Sequence, residues 1–328
     1  MPQILFVFKQ RFRFVEIDLE LLREHWDVRE WEQPSRLPNP FALLRAVWKA
    51  DLVFGWFASW QTFLPFTFAW LLRKPSVLVT GGFDTANVPE IGYGYQQAGG
   101  IARPLSRWII GRASRVVTYS NYLRGELDRN VGVASDRVTV VHLGVPDPFG
   151  ALPDEPRERL ALSVANVASL NFERKGLRAF VEASHFLPDV QFTLAGAWVD
   201  DSVGRLRELA GPNVTFTGGL PRAELDDLFR RASVYVQASR HEGFGLALAE
   251  GMLAGCIPVV TRAGALPEVV GNVGVQVETN DPETLAAGIS RALDLEDDVR
   301  RQARARVLGE FPLEARARGL RRVVEEAL

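Results

Sequence analysis

Two glutamates stand eight positions apart in SRHEGFGLALAEGMLAGCIPVVT, residues 239–261, a stretch that is otherwise almost wholly apolar. Glu242 precedes a Gly-Phe-Gly turn, and Glu250 is the only charged residue between Gly243 and Thr261. An unpaired buried carboxylate costs several kcal/mol, so both acids need a partner. Gly243 and Gly245 let backbone come close to a ligand and leave the first N–H groups of the following helix open, an arrangement that favours phosphate. Glu250, a turn and a half along that helix, is placed to accept hydrogen bonds from the vicinal hydroxyls of an attached ribose. The other reading is an ion pair with an arginine in the domain interior. Glu242, on the loop, is expected to face the other end of the same ligand.

A second group is Arg174-Lys175-Gly176 in NFERKGLRAFVEA. The chain has 38 basic residues, of which Lys9, Lys49, Lys74 and Lys175 are the lysines. Two cations beside a helix start suit a diphosphate and oppose the helix dipole unless an anion is present. A third is TRAGALPEVVG, where Gly264 makes a tight loop and Pro267 opens a helix. Two helix starts beside one crevice also suit a diphosphate. WVDD, with Asp200 and Asp201, reads as a helix cap rather than a metal motif. Cys256 is the single cysteine, which excludes a disulfide framework and a cysteine metal site and points to reducing cytosol.

Strands that position these groups are expected at residues 4–8, 52–57, 76–80, 116–119 and 138–141, with a helix at 15–25. Residues 144–158 gather four prolines and read as a linker, with a hinge at 145–156. Beyond it, strands at 162–167, 191–195, 214–217, 234–237 and 257–260 alternate with helices at 176–186, 201–210, 222–231 and 246–254. The tail from Asp281 is helical. This is an α/β pattern: two doubly wound Rossmann-like domains with a cleft between them, motifs on strand-to-helix loops. The length of 328 residues and the hydrophobic fraction of 47% suit two globular domains. A net charge of −2 gives no reason to expect nucleic acid. Residues 52–72 are uncharged and long enough to span a membrane, but Gln61, Pro65 and a central turn make a strand followed by a helix the better reading. No signal peptide is expected, because the run at 4–8 is short.

The run EGFGLALAEGMLAGCIPVVTRAGALPEVVG resembles the signature of retaining glycosyltransferases of the GT-B fold, family 4 type. RKG, LAGAW, FTGGL and ELDDLFRRASVYVQAS fall in that family's order, so the resemblance is strong over residues 160–290 and weak before them. It implies an acceptor-binding domain at 1–148, a nucleotide-sugar donor domain at 149–310 and a C-terminal helix at 311–328 that returns to the first domain. It implies that Glu250 binds the ribose, Glu242 the donor sugar's hydroxyls and Lys175 the diphosphate. Backbone at Gly243, Phe244, Gly245 and Leu246 would meet phosphate and sugar, and the loop with Gly218 and Leu220 the nucleobase. Diphosphate departure is helped in this family by cations and helix dipoles, with no metal or other cofactor required. The chain departs from the pattern in three places. Asn166 stands where an arginine is usual, and Arg174 is the substitute candidate. The first loop is FKQRFRF rather than glycine-rich, which offers Lys9 and Arg11 for the acceptor. Gly81-Gly82-Phe83-Asp84 occupies the place of a histidine, making Asp84 the candidate polar group near the reacting sugar, with Gly82 beside the acceptor. His241 adjoins Glu242 and is a candidate for the donor site.

The reading is therefore transfer of a hexose from a UDP- or GDP-linked donor to a hydroxyl of a glycan, lipid-linked or small-molecule acceptor. The alternative is a non-catalytic sugar-nucleotide-binding or scaffold protein of the same fold. A glycoside hydrolase needs two carboxylates flanking one bond, whereas Glu242 and Glu250 read as strung along one ligand. A sugar-nucleotide epimerase of the same architecture is a further alternative. Basic and aromatic residues at 9–14 and 54–70 suit an acceptor at a membrane surface, so the expected place is the cytoplasm, with peripheral contact at the inner face.

Overall fold

Short β-branched runs separated by helices give two six-stranded, all-parallel sheets in the computed structural model, which describes residues 1–33, 38–152 and 157–328. The chain divides into residues 1–144 with 313–328, and residues 145–312. The expected division was 1–148, 149–310 and 311–328. Part of the expected hinge, 153–156, lies outside the described residues.

The first unit runs β1 (Gln3–Phe8), α1 (Arg13–Arg23), β2 (Asp27–Glu32), α2 (Pro40–Lys49), β3 (Leu52–Trp56), α3 (Trp60–Leu71), β4 (Ser76–Val79), α4 (Gly82–Thr85), α5 (Ala102–Arg112), β5 (Arg115–Thr118), α6 (Asn121–Glu126) and β6 (Val138–Val140). Its strand order is β2-β1-β3-β4-β5-β6. The central strands are buried on both faces, which is why they read as unbroken apolar runs. β2, DVREWE, was missed in the sequence because it lies at the sheet edge, carries four charges and has no fully buried residue. α2 begins where Asn39 accepts from the N–H groups of Phe41 and Ala42, both at 3.1 Å, with Pro40 at the first helical position. Of the long aromatic stretch, Phe54, Trp56 and Phe66 are core, and no helix among the described residues is long and apolar enough to cross a membrane.

The second unit runs β7 (Glu158–Val164), α7 (Ser169–Arg174), α8 (Leu177–Ala183), β8 (Gln191–Ala195), α9 (Ser202–Leu209), β9 (Val214–Gly218), α10 (Arg222–Arg231), β10 (Ala232–Gln237), α11 (Leu246–Leu253), β11 (Ile257–Thr261), α12 (Leu266–Val270), β12 (Val275–Val277), α13 (Pro282–Leu293) and α14 (Asp297–Glu310). Its order, β12-β11-β10-β7-β8-β9, is that of a dinucleotide-type doubly wound sheet. Asp200, read as a cap, accepts from the N–H of Ser202 at 3.0 Å and from the N–H of Ser169 at 2.7 Å, so one carboxylate anchors the starts of α9 and α7. Asp201 occupies the N-cap position without a side-chain bond.

The last helix, α15 (Leu313–Ala327), belongs to the first unit and packs on α1. It buries Arg316, whose Nε and Nη2 donate to the two oxygens of Asp18 at 2.9 and 2.7 Å, while Nη1 donates to the carbonyl of Val141.

Candidate functional site

In an open α/β sheet, ligands bind beyond the carboxyl ends of the strands where the order reverses. In the second unit that point lies between β7 and β10, each of which has the other as neighbour and continues outward from there. The segments leaving these two strands carry Asn166, Arg174, Lys175, His241, Glu242 and Gly243 to Gly245. Close backbone contacts lock them to each other and to the loop after β11. The N–H of Arg240 donates to the carbonyl of Arg174 at 2.8 Å, and the N–H of Ala265 donates to the carbonyl of Glu242 at 2.8 Å. Gly176, at φ +65°, lies so close to the Ala238 carbonyl that a Cβ would fall 2.0 Å from its oxygen. Gly264, at φ +62°, is pressed against the backbone of Glu242 in the same way. Only glycine meets both demands, so these positions set where the side chains between them point.

Lys175 and Glu242 meet at this point. The lysine Nζ donates to Glu242 Oε2 in an ion pair whose side chains are 19% and 12% exposed. Gln237 Nε2 and Ser239 Oγ also donate to that oxygen, at 3.4 and 3.5 Å. Burial on its own would raise the Glu242 carboxyl; the cations of Lys175 and Arg174 outweigh it and hold the group below the usual carboxylate range. Arg174 is steered by Asn171, whose Oδ1 accepts from Nη2 at 2.6 Å. The structure changes one argument made from sequence. Arg174 and Lys175 end α7, a six-residue helix that the sequence did not reveal, as well as preceding α8. Cations at a helix C-terminus are favoured by its dipole, so the dipole no longer requires an anion there. What sets the lysine apart is its burial against Glu242.

Glu250 lies on α11 and is 5% exposed. Its Oε1 accepts from Arg222 Nη1 at 2.5 Å, and Arg222 Nη2 is 2.7 Å from Asp226. The arginine pairing weighed from sequence is thus present, and any hydroxyl binding by Glu250 shares the carboxylate with Arg222. Arg222 is the residue that the sequence reading passed over. It follows Pro221 at the start of α10, and nothing local links it to a glutamate 28 positions on.

The remaining candidates sort by exposure. Gly245 caps α11 at φ +99°, and Leu246 opens the helix. Gly243 is buried, and Phe244 turns its ring inward onto Phe311, centroids 5.1 Å apart, leaving only backbone for a ligand. His241 is buried beside Glu242. Asn166 is exposed after β7, its carbonyl accepting from Asn171 Nδ2 at 2.8 Å. Gly218 ends β9 at φ +72° beside Trp198, and Leu220 is half-buried two residues on. Among the described residues no group of three or more His, Cys, Asp or Glu could hold a metal ion.

The first unit has its own switch point, between β1 and β3. The loops after them line a cavity of about 200 Å³ with Lys9, Phe12, Trp56, Trp60, Phe83 and Asp84 among its walls. Lys9 Nζ lies 5.6 Å above the Trp60 ring. Arg11 points elsewhere and pairs with Glu30 at 2.5 Å. Gly82 opens α4, its N–H donating to the Tyr119 hydroxyl at 3.2 Å. Asp84 Oδ2 accepts from the Ala58 N–H at 2.7 Å, while Oδ1 is buried without a hydrogen-bond partner among the described residues. Burial, joined by Glu126 and only partly offset by backbone N–H groups, pushes Asp84 up to about 7. A carboxyl raised in the folded state contributes stability that is complete below the unfolded value of 3.8 and is lost as pH rises through 7. Asp84→Asn keeps an acceptor for Ala58 and cannot ionise. It should therefore raise stability at pH 8 by roughly 3–4 kcal/mol and have little effect at pH 4. Denaturant titrations at both pH values check this, and parallel profiles for the two proteins would contradict it.

Comparison with known proteins gives a consistent result. The family described as Glycosyltransferase Family 4 matches residues 11–147, and that described as Glycosyl transferases group 1 matches residues 161–295. O-antigen chain mannosyltransferase B of Escherichia coli is 29% identical over 216 residues, which are 60% of this chain and 56% of that relative's length. MMP alpha-(1->4)-mannosyltransferase of Mycolicibacterium hassiacum is 26% identical over 341 residues, covering 89% of this chain and 79% of the relative. Among solved structures, Anabaena Alr3699/HepE in complex with UDP and glucose superposes with a TM-score of 0.80 at 16% identity, covering 99% of this chain and 100% of that one. Sucrose-phosphate synthase from Thermosynechococcus elongatus gives 0.74 at 19% identity, covering 99% of each. At these identities the structural likeness establishes the fold.

Proposed function

The chain belongs to the group 1, family 4 glycosyl transferases of GT-B fold, and from that premise we propose that it moves a hexose from a UDP- or GDP-linked donor to an acceptor hydroxyl with retention at the anomeric carbon. The observation that carries this reading is the largely buried Lys175–Glu242 pair at the switch point of the second unit, joined there by Arg174 and the start of α11. In this reading Lys175 and Arg174 neutralise the diphosphate as it departs, and the backbone N–H groups from Gly243 to Leu246 add donors along the same side. Glu242 accepts from the donor sugar's hydroxyls, and Glu250, held by Arg222, accepts from the ribose. The loop with Gly218 and Leu220 takes the base, and the exposed ring of Trp198 offers it a face. The acceptor enters the aromatic cavity of the first unit, where Asp84 supplies the polar group in place of a histidine. The leaving diphosphate takes the acceptor's proton, so no side-chain base and no metal is required.

Supplying UDP- and GDP-hexoses with a panel of glycan and lipid-linked acceptors, and reading the product's anomeric proton by NMR, tests the proposal. One nucleotide class should support transfer with the donor's anomeric configuration kept. A product of inverted configuration would refute retention, and hydrolysis without transfer to any acceptor would refute the transferase reading.

A further inference from the structure

The outer helices of the first unit have a composition that neither the fold nor sugar transfer demands. α3 packs on both α2 and α5, and none of the three contains an aspartate or a glutamate, in a chain with 40 acids and a net charge of −2. α2 is apolar on two sides. Leu43, Ala46 and Val47 are buried, while Phe41, Leu44 and Trp48, spaced i, i+3 and i+7, face solvent, Phe41 at 82% and Trp48 at 63% exposure. α3 ends on Trp70 and Leu71, 48% and 61% exposed. Scattered surface apolar residues are ordinary, but aromatic side chains recurring along one face and onto the neighbouring helix mark a contact surface.

Cations accompany them: Arg45, Lys49, Arg73, Lys74, Arg103 and Arg112. Among the described residues, the ion pairs of this unit leave all six out. Trp70, Leu71, Arg73, Lys74 and Arg112 line one open groove of about 680 Å³, together with Ala327 and Leu328. The Arg112 guanidinium lies 4.6 Å from the Trp70 ring. The acids on the neighbouring helix, Glu325 and Glu326, are matched by Arg321 and Arg322 on α15 itself.

Helix dipoles explain part of this, since Lys49 and Arg112 close their helices. They do not explain the exposed tryptophans. Nor do they explain why the first turns of α2, α3 and α5 all lack an acid, where the same dipole would favour one. A second copy of this face is a poor partner, because an isologous contact would set the cations against themselves.

We propose that the layer of α2, α3 and α5 docks on an anionic phospholipid bilayer, with Phe41, Trp48 and Trp70 in the headgroup region and Arg73, Lys74 and Arg112 on lipid phosphates. Of the surface suggested by the sequence alone, residues 9–14 and 54–70, this keeps Trp70. Phe54, Trp56 and Phe66 are core, and Lys9 and Arg11 belong to the loop at the first unit's cavity. The proposal stands apart from the nucleotide site, which lies in the other unit.

Flotation of the full chain with vesicles tests it, using phosphatidylcholine alone and phosphatidylcholine with an equal part of phosphatidylglycerol. Binding is expected to the anionic vesicles only and to weaken with added salt. Phe41→Ser with Trp48→Ser, and separately Arg45→Glu with Lys49→Glu, should each lower partitioning by about ten-fold or more. Circular dichroism and nucleotide titration of both variants should match wild type, which separates failure here from failure of the transferase reading. No flotation with anionic vesicles would overturn the proposal. So would binding that neither double variant weakens, or a dimer in sedimentation that Phe41→Ser with Trp48→Ser dissolves while vesicles are ignored.

Discussion

Lys175→Ala should lower the rate of sugar transfer by about 10²–10³-fold, the usual consequence of removing one group aimed at charge that develops as a leaving group departs. The same substitution strands Glu242, which is 12% exposed and held ionised by that lysine. Breaking a buried pair from one side costs about 3 kcal/mol, so Lys175→Ala should also lower the denaturation midpoint. The two effects separate in the double variant Lys175→Ala with Glu242→Gln. Removing both charges should return most of the stability, while transfer stays lost because the diphosphate still lacks its cation. Recovery of transfer with stability in the double variant would mean that the lysine serves the fold alone.

Arg316→Ala should destabilise the first unit by about 3–5 kcal/mol. Arg316 and Asp18 are 1% exposed each, joined by two parallel bonds, and the guanidinium also serves the Val141 carbonyl and lies 5.8 Å from the Trp56 ring. Truncation leaves a buried carboxylate and a buried carbonyl unserved at once. Arg316→Met with Asp18→Asn should recover much of the loss, because the cost lies in the uncompensated charge. Denaturant unfolding followed by tryptophan fluorescence reads both variants. An Arg316→Ala protein as stable as wild type would show that α15 is not fastened through this pair.

The second unit was the more legible from sequence, for a physical reason. Its inner strand β8 reads as an apolar run and α10 as a helix with one buried face, so residues 191–195 and 222–231 were placed to the residue. β7 was set too late in the chain because its first residues, Glu158 and Arg159, are exposed and look like linker. α7 is six residues long with one buried side chain, too little to carry a periodic pattern. In the site, glycines and charges on loops after strands marked Lys175, Glu242 and Glu250. What these residues touch was not legible. The pairing of Glu250 with Arg222 joins two helices across 28 positions, and the burial of Asp84 arises from the loop at Ala58, 26 positions earlier. The exposed face of α2 was hidden for the opposite reason. Its inner and outer stripes are both apolar, and Arg45 and Lys49 alone make too narrow a polar side for a surface helix to be recognised by it.

The most direct test of the account is calorimetric titration of UDP and GDP into the wild-type protein, Lys175→Ala and Glu250→Ala. The account predicts that wild type binds one of the two nucleotides, and that each variant binds it more weakly by about 1–3 kcal/mol. Binding of neither nucleotide by the folded wild-type chain, or equal binding by all three proteins, would contradict it.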